Sequence, residues 1–352
     1  MDPQSVTVIQ ATSLTANDPQ PVRLPYEYDP EKPLTVGGQA IIEGVMMRAP
    51  GAVAAAVRTP DGDILVRREP FVSLAERTRW GRIPVIRGAA GLFEMLVLGM
   101  KFLNWSADVA EGKATKADTG PAKTDWGAVA TIAFSLVLAV ALFFAGPLLL
   151  TSWLFSLDQQ AVTFNLVSGG FRVTLLLLYM WGISLIPDVF RLFQYHGAEH
   201  KSIFAFEEQR SVSLGMAKGF PTLHPRCGTS FLLVVMLTSI LAFAVIDTLL
   251  IWWLGSLSLP VRLASHLPFI PVIAGIAYEI IKFTARNTGT VWGRFLTLPG
   301  LWLQYITTKE PDDSQLEVAL VALRSALGME PYDLKTDTEN AYTRRYRMKA
   351  AA

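Results

Sequence analysis

Four apolar stretches govern what this chain can fold into. A helix needs about 20 predominantly apolar residues to cross a bilayer. Residues 128–150, 173–193, 231–254 and 263–283 approach or exceed that length. The composition agrees: 51% of residues are hydrophobic and 17% charged, against about a quarter charged in soluble domains. The expected fold class is an α-helical integral membrane protein with about four transmembrane helices, interfacial helices and a small cytosolic β-containing N-terminal module. The fourth stretch carries His266, Pro268, Pro271 and Glu279. Proline is tolerated in a membrane helix when neighbours satisfy the freed backbone groups. A full span and a re-entrant or broken helix both stay open there.

Basic residues orient such a bundle. Arg191, Lys201, Arg210, Lys218 and Arg226 lie between stretches two and three; Lys113, Lys116 and Lys123 precede the first; Lys282, Arg286 and Arg294 follow the fourth. The other two connections carry only Arg172 and Arg262 at their edges. Both termini and the segment 194–230 are therefore expected on the cytoplasmic side of the membrane, in contact with membrane lipids. Trp153, Trp252 and Trp253 would form an outer aromatic belt.

Outside the spans, residues 1–32 are polar and Pro-rich with no apolar core of a signal peptide, and they are expected as a disordered tail. Residues 33–80 look like a small cytosolic module. Extended runs at 53–59 and 64–68 flank Pro60-Asp61-Gly62-Asp63, which predicts a hairpin. Ahead of it, the glycines of 36–48 permit positive φ and close backbone approach; no Gly-Lys-Ser/Thr follows, so this is not a phosphate loop. Residues 83–105 are apolar but contain Arg87, Glu94 and Lys101, which predicts an amphipathic helix on the membrane surface or packed on the bundle. Residues 291–306 read as a second interfacial segment. A capped helix follows to about 327, with Leu316, Ala319, Leu320 and Leu323 on one face. Residues 329–352 are polar and expected as a tail.

Three of the four histidines and the only cysteine fall between stretches two and three. His196 and His200 are four apart, so on a helix both rings share a face. With Glu199 they spell H-x-x-E-H, in which two histidines hold zinc and the glutamate moves a proton. His224 and Cys227 lie in the same segment. This donor set suits a divalent metal, zinc first. If His196, His200, His224 and Cys227 all bind, the shell is closed and structural; if three bind, a position stays open and Glu199 is the catalytic candidate. Glu279 is an alternative carboxylate ligand, and Gln39, Glu43 and Arg48 are candidates for the cytosolic mouth of the site.

Plainer readings exist for each feature. Interfacial histidines bond backbone or headgroups, and a lone buried cysteine packs as a small hydrophobe. Glu43 and Arg48 can pair with each other for structure alone. Asp188 and Asp247 sit near span ends, where solvation is the simpler account. Acidic residues at mid-bilayer would mark an ion path; none is evident, which argues against a transporter. The net charge of +1 gives no signal for nucleic acid, and one cysteine excludes an internal disulfide framework. A lone thiol suits a reducing compartment.

The strings GGQAIIEGVMMRAP (37–50), YHGAEHKSI (195–203), HPRCGTSFL (224–232), PGLWLQYITTKEP (299–311) and DSQLEVALVAL (313–323) together resemble the YqhQ-like family. That is a bacterial domain-of-unknown-function family labelled as a predicted metal-dependent enzyme. The resemblance covers about residues 33–328, and Ala49 departs from an expected glycine. It implies a metal, with His196, Glu199, His200, His224 and Cys227 on the matching motifs, and no established reaction. Family genes commonly neighbour those for a ribosomal protein and a release factor, which implies a second class of function.

Two functions follow as expectations. The first is a membrane-embedded metal-dependent hydrolase. The second is a non-enzymatic scaffold or biogenesis factor linked to translation or membrane-protein insertion, with ribosome or translocon as partner and a structural metal.

Overall fold

The structure is a computed structural model and describes residues 7–10, 36–113, 126–209, 212–287, 290–329 and 342–347. Six strands form one sheet: β1 (Thr7–Gln10), β2 (Gly37–Ile41), β3 (Gly44–Ala49), β4 (Ala52–Arg58), β5 (Ile64–Pro70) and β6 (Tyr342–Arg347), in the order β1-β6-β5-β4-β3-β2. β2 to β5 run as an antiparallel meander. β6 lies antiparallel to β5, and β1 parallel to β6. At the β4–β5 turn Gly62 takes φ 88°, and the Thr59 amide donates to the Asp63 carbonyl at 2.8 Å. The positive φ is one that glycine adopts without a Cβ penalty. β1 and β6 fall within segments expected as tails; the rest of 1–32 and nearly all the rest of 329–352 lie outside the described residues.

The sheet is covered on both sides by helices. α1 (Leu74–Arg77) and a 3₁₀ turn (Arg79–Arg82) lead to α2 (Ile86–Ala110). α3 (Trp126–Val140), a π-helical turn (Ala141–Ala145) and α4 (Gly146–Leu154) run on without a break. Then come α5 (Ala161–Ile183), α6 (Pro187–Gln209), α7 (Leu214–Lys218) and α8 (Gly228–Leu254). α9 (Leu259–His266), a 3₁₀ turn (Leu267–Phe269), α10 (Ile270–Arg286), α11 (Val291–Thr307) and α12 (Asp313–Leu327) complete the order.

Strand alternation divides the core. Val45, Met47, Ala54 and Val66 pack with Tyr195 and Phe206 of α6 and Leu316, Leu320 and Leu323 of α12. Met46, Ala55 and Leu65 face the other way, onto Leu98, Phe102 and Val109 of α2. Side chains one apart on a strand point to opposite faces, so Met46 and Met47 enter different cores. The face predicted for α12 is buried, and so are Gln315, Val318, Ala322 and Ala326 beside it.

Among the described residues, four helices are long and apolar enough to cross a membrane: Ala133–Leu154, Ala161–Ile183, Gly228–Leu254 and Leu259–Thr284. The second lies upstream of the stretch expected at 173–193. Pro187 explains the shift. Proline lacks the amide a helix interior needs and restricts the residue before it, so the chain turns at 184–186 and restarts as α6. The first half of α5 escapes a hydropathy reading because it holds Asn165, Ser168 and Arg172, all of which turn inward and are buried. The fourth stretch stays helical through its prolines by tightening to a 3₁₀ turn at Leu267–Phe269.

Asp247 corrects an expectation. It is not solvated at a span end but fully buried, with Arg262 Nε and His266 Nε2 each at 2.8 Å. Asp247 is thus an acidic residue buried among the long apolar helices.

Candidate metal centre

The segment 194–230 is largely helical, and α6 carries both His196 and His200. Their ring centroids are 4.5 Å apart, as a four-residue spacing on one helical face requires. Each ring is oriented by the main chain. His196 Nδ1 lies 2.8 Å from the Thr307 carbonyl at the end of α11, and His200 Nδ1 meets the Thr222 carbonyl. A carbonyl only accepts, so each Nδ1 carries the hydrogen and each neutral ring keeps its lone pair on Nε2.

Cys227 comes to the same point from the N-cap of α8, where its sulfur accepts the Thr229 amide at 3.4 Å. His196 Nε2 lies 3.2 Å from Cys227 Sγ. One ligand atom each from His196, His200 and Cys227 lie within 4.8 Å of one another. Two imidazoles with Nδ1 fixed by carbonyls, plus a cysteine sulfur, could hold a divalent metal. The donor set therefore fits zinc.

Glu199 lies beside this group. It is buried, and its Oε2 is 3.4 Å from His200 Nε2. Gly38 of β2 makes room for it: a Cβ there would stand 2.7 Å from Glu199 Cγ. Burial raises the Glu199 carboxyl above its ordinary range, against the opposing pull of His196, His224 and the Gly38 amide.

His224 stands next to the three converging donors, not among them. Its Nδ1 accepts the Arg226 amide at 3.2 Å, which leaves Nε2 to face Glu207 at 3.5 Å. Buried Gln304 fixes this turn by accepting the His224 amide and donating to its carbonyl, both at 2.8 Å. Burial lowers the His224 pKa, with Glu207 opposing. Glu207 itself is pushed up by burial, but His224 and Arg226 outweigh this and hold it below its usual range.

The accessory candidates go to other partners. Glu279 receives Arg87 of α2 at 2.7 Å. Glu43 does not pair with Arg48: it takes Arg191 Nη2 at 2.6 Å and the Tyr195 hydroxyl at 3.3 Å. Arg48 instead reaches Met95 Sδ at 3.6 Å and stacks over Phe71 at 4.7 Å. Gln39 packs against Gly99 of α2, where a Cβ would come 2.6 Å from its Oε1. Sequence reasoning missed the Thr222 and Thr307 carbonyls, which carry no side-chain signal, and it missed Gln304 and Glu207.

The family model described as "Protein of unknown function (DUF1385)" matches residues 83–329. The chain is 30% identical over 312 residues to "Uncharacterized protein YqhQ" of Bacillus subtilis (strain 168), covering 85% of this chain and 94% of that protein. No solved structure matches. The chain belongs to the DUF1385 family.

Proposed function

We propose that this DUF1385 protein is a multi-pass protein of the bacterial cytoplasmic membrane, with both termini cytoplasmic, and acts as a metal-dependent hydrolase. His196, His200 and Cys227 hold one divalent metal, preferably zinc. One observation carries the reading: one ligand atom each of His196, His200 and Cys227 lies within 4.8 Å of the others, with His196 Nε2 3.2 Å from Cys227 Sγ, while His224 is engaged with Glu207 and Arg226. Three protein ligands leave a fourth position of a tetrahedral site open, which is the arrangement of catalytic zinc.

A divalent metal held there supplies Lewis acidity toward water and toward a carbonyl or phosphoryl oxygen. The chain's own contribution is Glu199. Its Oε2 sits at the edge of the donor group, where a carboxylate is placed to take and return a proton. The Thr222 and Thr307 carbonyls keep both imidazoles in the ligating tautomer.

The burial of Glu199, His200 and Cys227 favours a second reading. Here Glu199 closes the shell, the metal is structural, and the protein is a scaffold or biogenesis factor that engages ribosome or translocon.

Elemental analysis of the detergent-purified full chain separates the two. The hydrolase reading expects about one zinc per chain, lost in His200→Ala and Cys227→Ser and kept in His224→Ala and Glu199→Gln. Loss of metal in Glu199→Gln selects the structural reading. Absence of metal from the wild type after zinc reconstitution sinks both.

A further inference from the structure

A second polar cluster lies among the spanning helices. Asp247 of α8 is its centre. The Asn165 side-chain amide of α5 donates to it at 2.6 Å, and Arg262 Nε and His266 Nε2 of α9 each stand 2.8 Å away. Arg262 Nη2 also donates to the Asp158 carbonyl at 2.9 Å. Asp247, Arg262 and His266 are fully buried. The carboxylate thus accepts from Asn165, meets His266 Nε2 and is ion-paired with Arg262, whose Nε has no hydrogen-bond partner of its own.

Arg172 of α5 adds a second buried positive charge to this cluster. No carboxylate among the described residues lies within salt-bridge distance of it. Its guanidinium sits 5.2 Å from the Phe144 ring and 5.3 Å from the Phe243 ring. Two of its buried nitrogens, Nε and Nη2, have no hydrogen-bond partner, and Arg172 is only 4% exposed. His266 Nδ1 and Asn165 Oδ1 nearby are also unpartnered.

The identity of those two nitrogens matters. Nε and Nη2 form one edge of the guanidinium, the fork that fits two oxygens of a carboxylate or phosphate. This chain uses that edge twice elsewhere: Arg87 offers Nε and Nη2 to Glu279, and Arg191 offers Nε and Nη2 to Glu43. Arg172 presents the same edge, buried, without an oxyanion on it. Leaving a buried charge of this kind unpaired is strongly unfavourable, and ionisable groups at membrane depth mark functional sites.

Two backbone irregularities meet at the same place. Phe144 belongs to the π-helical turn Ala141–Ala145, and such turns are concentrated at functional sites. His266 is the last residue of α9, immediately before the 3₁₀ turn Leu267–Phe269. Its ring stacks on Phe243 at 3.9 Å.

We propose that Arg172, between Phe144 and Phe243 and beside the Asp247–His266 pair, is the anchor of an intramembrane binding site for an oxyanion that presents two oxygens to the unpaired guanidinium edge. A free carboxylate or phosphate and the phosphate of an anionic lipid share that chemistry. The site is separate from the metal centre and does not depend on its role.

The test is thermal melting of the delipidated, detergent-purified full chain, titrated with sodium phosphate, sodium acetate or sodium chloride at constant ionic strength. A second arm uses nanodiscs with and without phosphatidylglycerol, and native mass spectrometry reads retained lipid. Phosphate or acetate should raise the melting temperature saturably. Chloride, a single atom that cannot bridge the fork, should not. Arg172→Lys keeps the charge and loses the fork, and should weaken half-saturation by roughly tenfold or more. A response to phosphatidylglycerol alone, with lipid retained by wild type and released by Arg172→Lys, assigns a lipid headgroup. Arg172→Gln, which loses both charge and fork, should abolish the response; if it does not fold, the Arg172→Lys comparison still decides. Equal responses in wild type and Arg172→Lys, or none to any of these anions, overturn the site and leave Arg172 held by water and the two rings.

Discussion

His196 Nε2 lies 3.2 Å from Cys227 Sγ, across 31 positions of sequence. A backbone approach helps to set that meeting. Gly197 faces the segment after α11 so closely that a Cβ would stand 2.0 Å from the Lys309 carbonyl oxygen. The Lys309 amide donates to the Phe193 carbonyl at 2.9 Å, which holds Thr307 against His196. Gly197→Ala must push this strap away. It should cost about 1–3 kcal/mol by overpacking, and it should lower zinc stoichiometry although no ligand has changed. Elemental analysis and melting of the variant check both parts; unchanged metal content would mean that the Thr307 carbonyl does not orient His196.

Acid should loosen the metal-free protein through Glu207 and His224. Glu207 is held below its usual range, so its stabilisation is present above the unfolded value near 4.3 and is lost as pH falls through the folded value. His224 is also lowered by burial. A lowered histidine binds fewer protons folded than unfolded, so its stability is likewise lost as pH drops below about 6.5. Both signs agree. In the presence of chelator, melting temperature should fall with acidification, and His224→Asn should flatten the upper part of that curve and Glu207→Gln the lower part. Parallel curves for wild type and both variants would refute the assignment.

The sequence made the site legible because its chemistry is local and its residue types are rare. His196, Glu199 and His200 share one helical turn, and Cys227 is the single thiol. What stayed hidden is of another kind. Both histidine Nδ1 atoms face main-chain carbonyls, which no residue type announces. The division between Cys227 as a donor and His224 as a neighbour depends on where Gln304 grips the turn. The hairpin and the buried face of α12 followed from turn chemistry and periodicity. The start of α5 did not, since Asn165 and Arg172 read as breaks in hydropathy until Asp247 and the phenylalanine rings are known to surround them.

The N-terminus of α12 carries a reciprocal cap. Asp312 Oδ1 accepts the Gln315 amide at 2.9 Å, and Gln315 Oε1 accepts the Asp312 amide at 3.0 Å. α12 covers one face of the sheet, so the cap supports that whole core. Asp312→Ala should cost about 1 kcal/mol, whereas Asp312→Asn, an equally good cap, should be close to neutral. Melting of the pair reads the difference; equal losses would assign the effect to charge and not to the hydrogen bond.

Glu279 supplies the last test, because its two possible roles make opposite demands. As a metal ligand it would lower zinc content when removed. The structure gives it to Arg87, whose Nε donates at 2.7 Å and joins α2 to α10. Close beneath this pair, Gly88 lets α2 settle on Tyr278, where a Cβ would stand 2.7 Å from the Tyr278 Cβ. Glu279→Ala should therefore leave zinc stoichiometry at the wild-type value and reduce stability. Arg87→Ala should do the same, and the double variant should lose less than the sum, with a coupling of about 0.5–3 kcal/mol for residues in direct contact. Additive losses would dissolve the pair, and a fall in zinc content would return Glu279 to the metal centre.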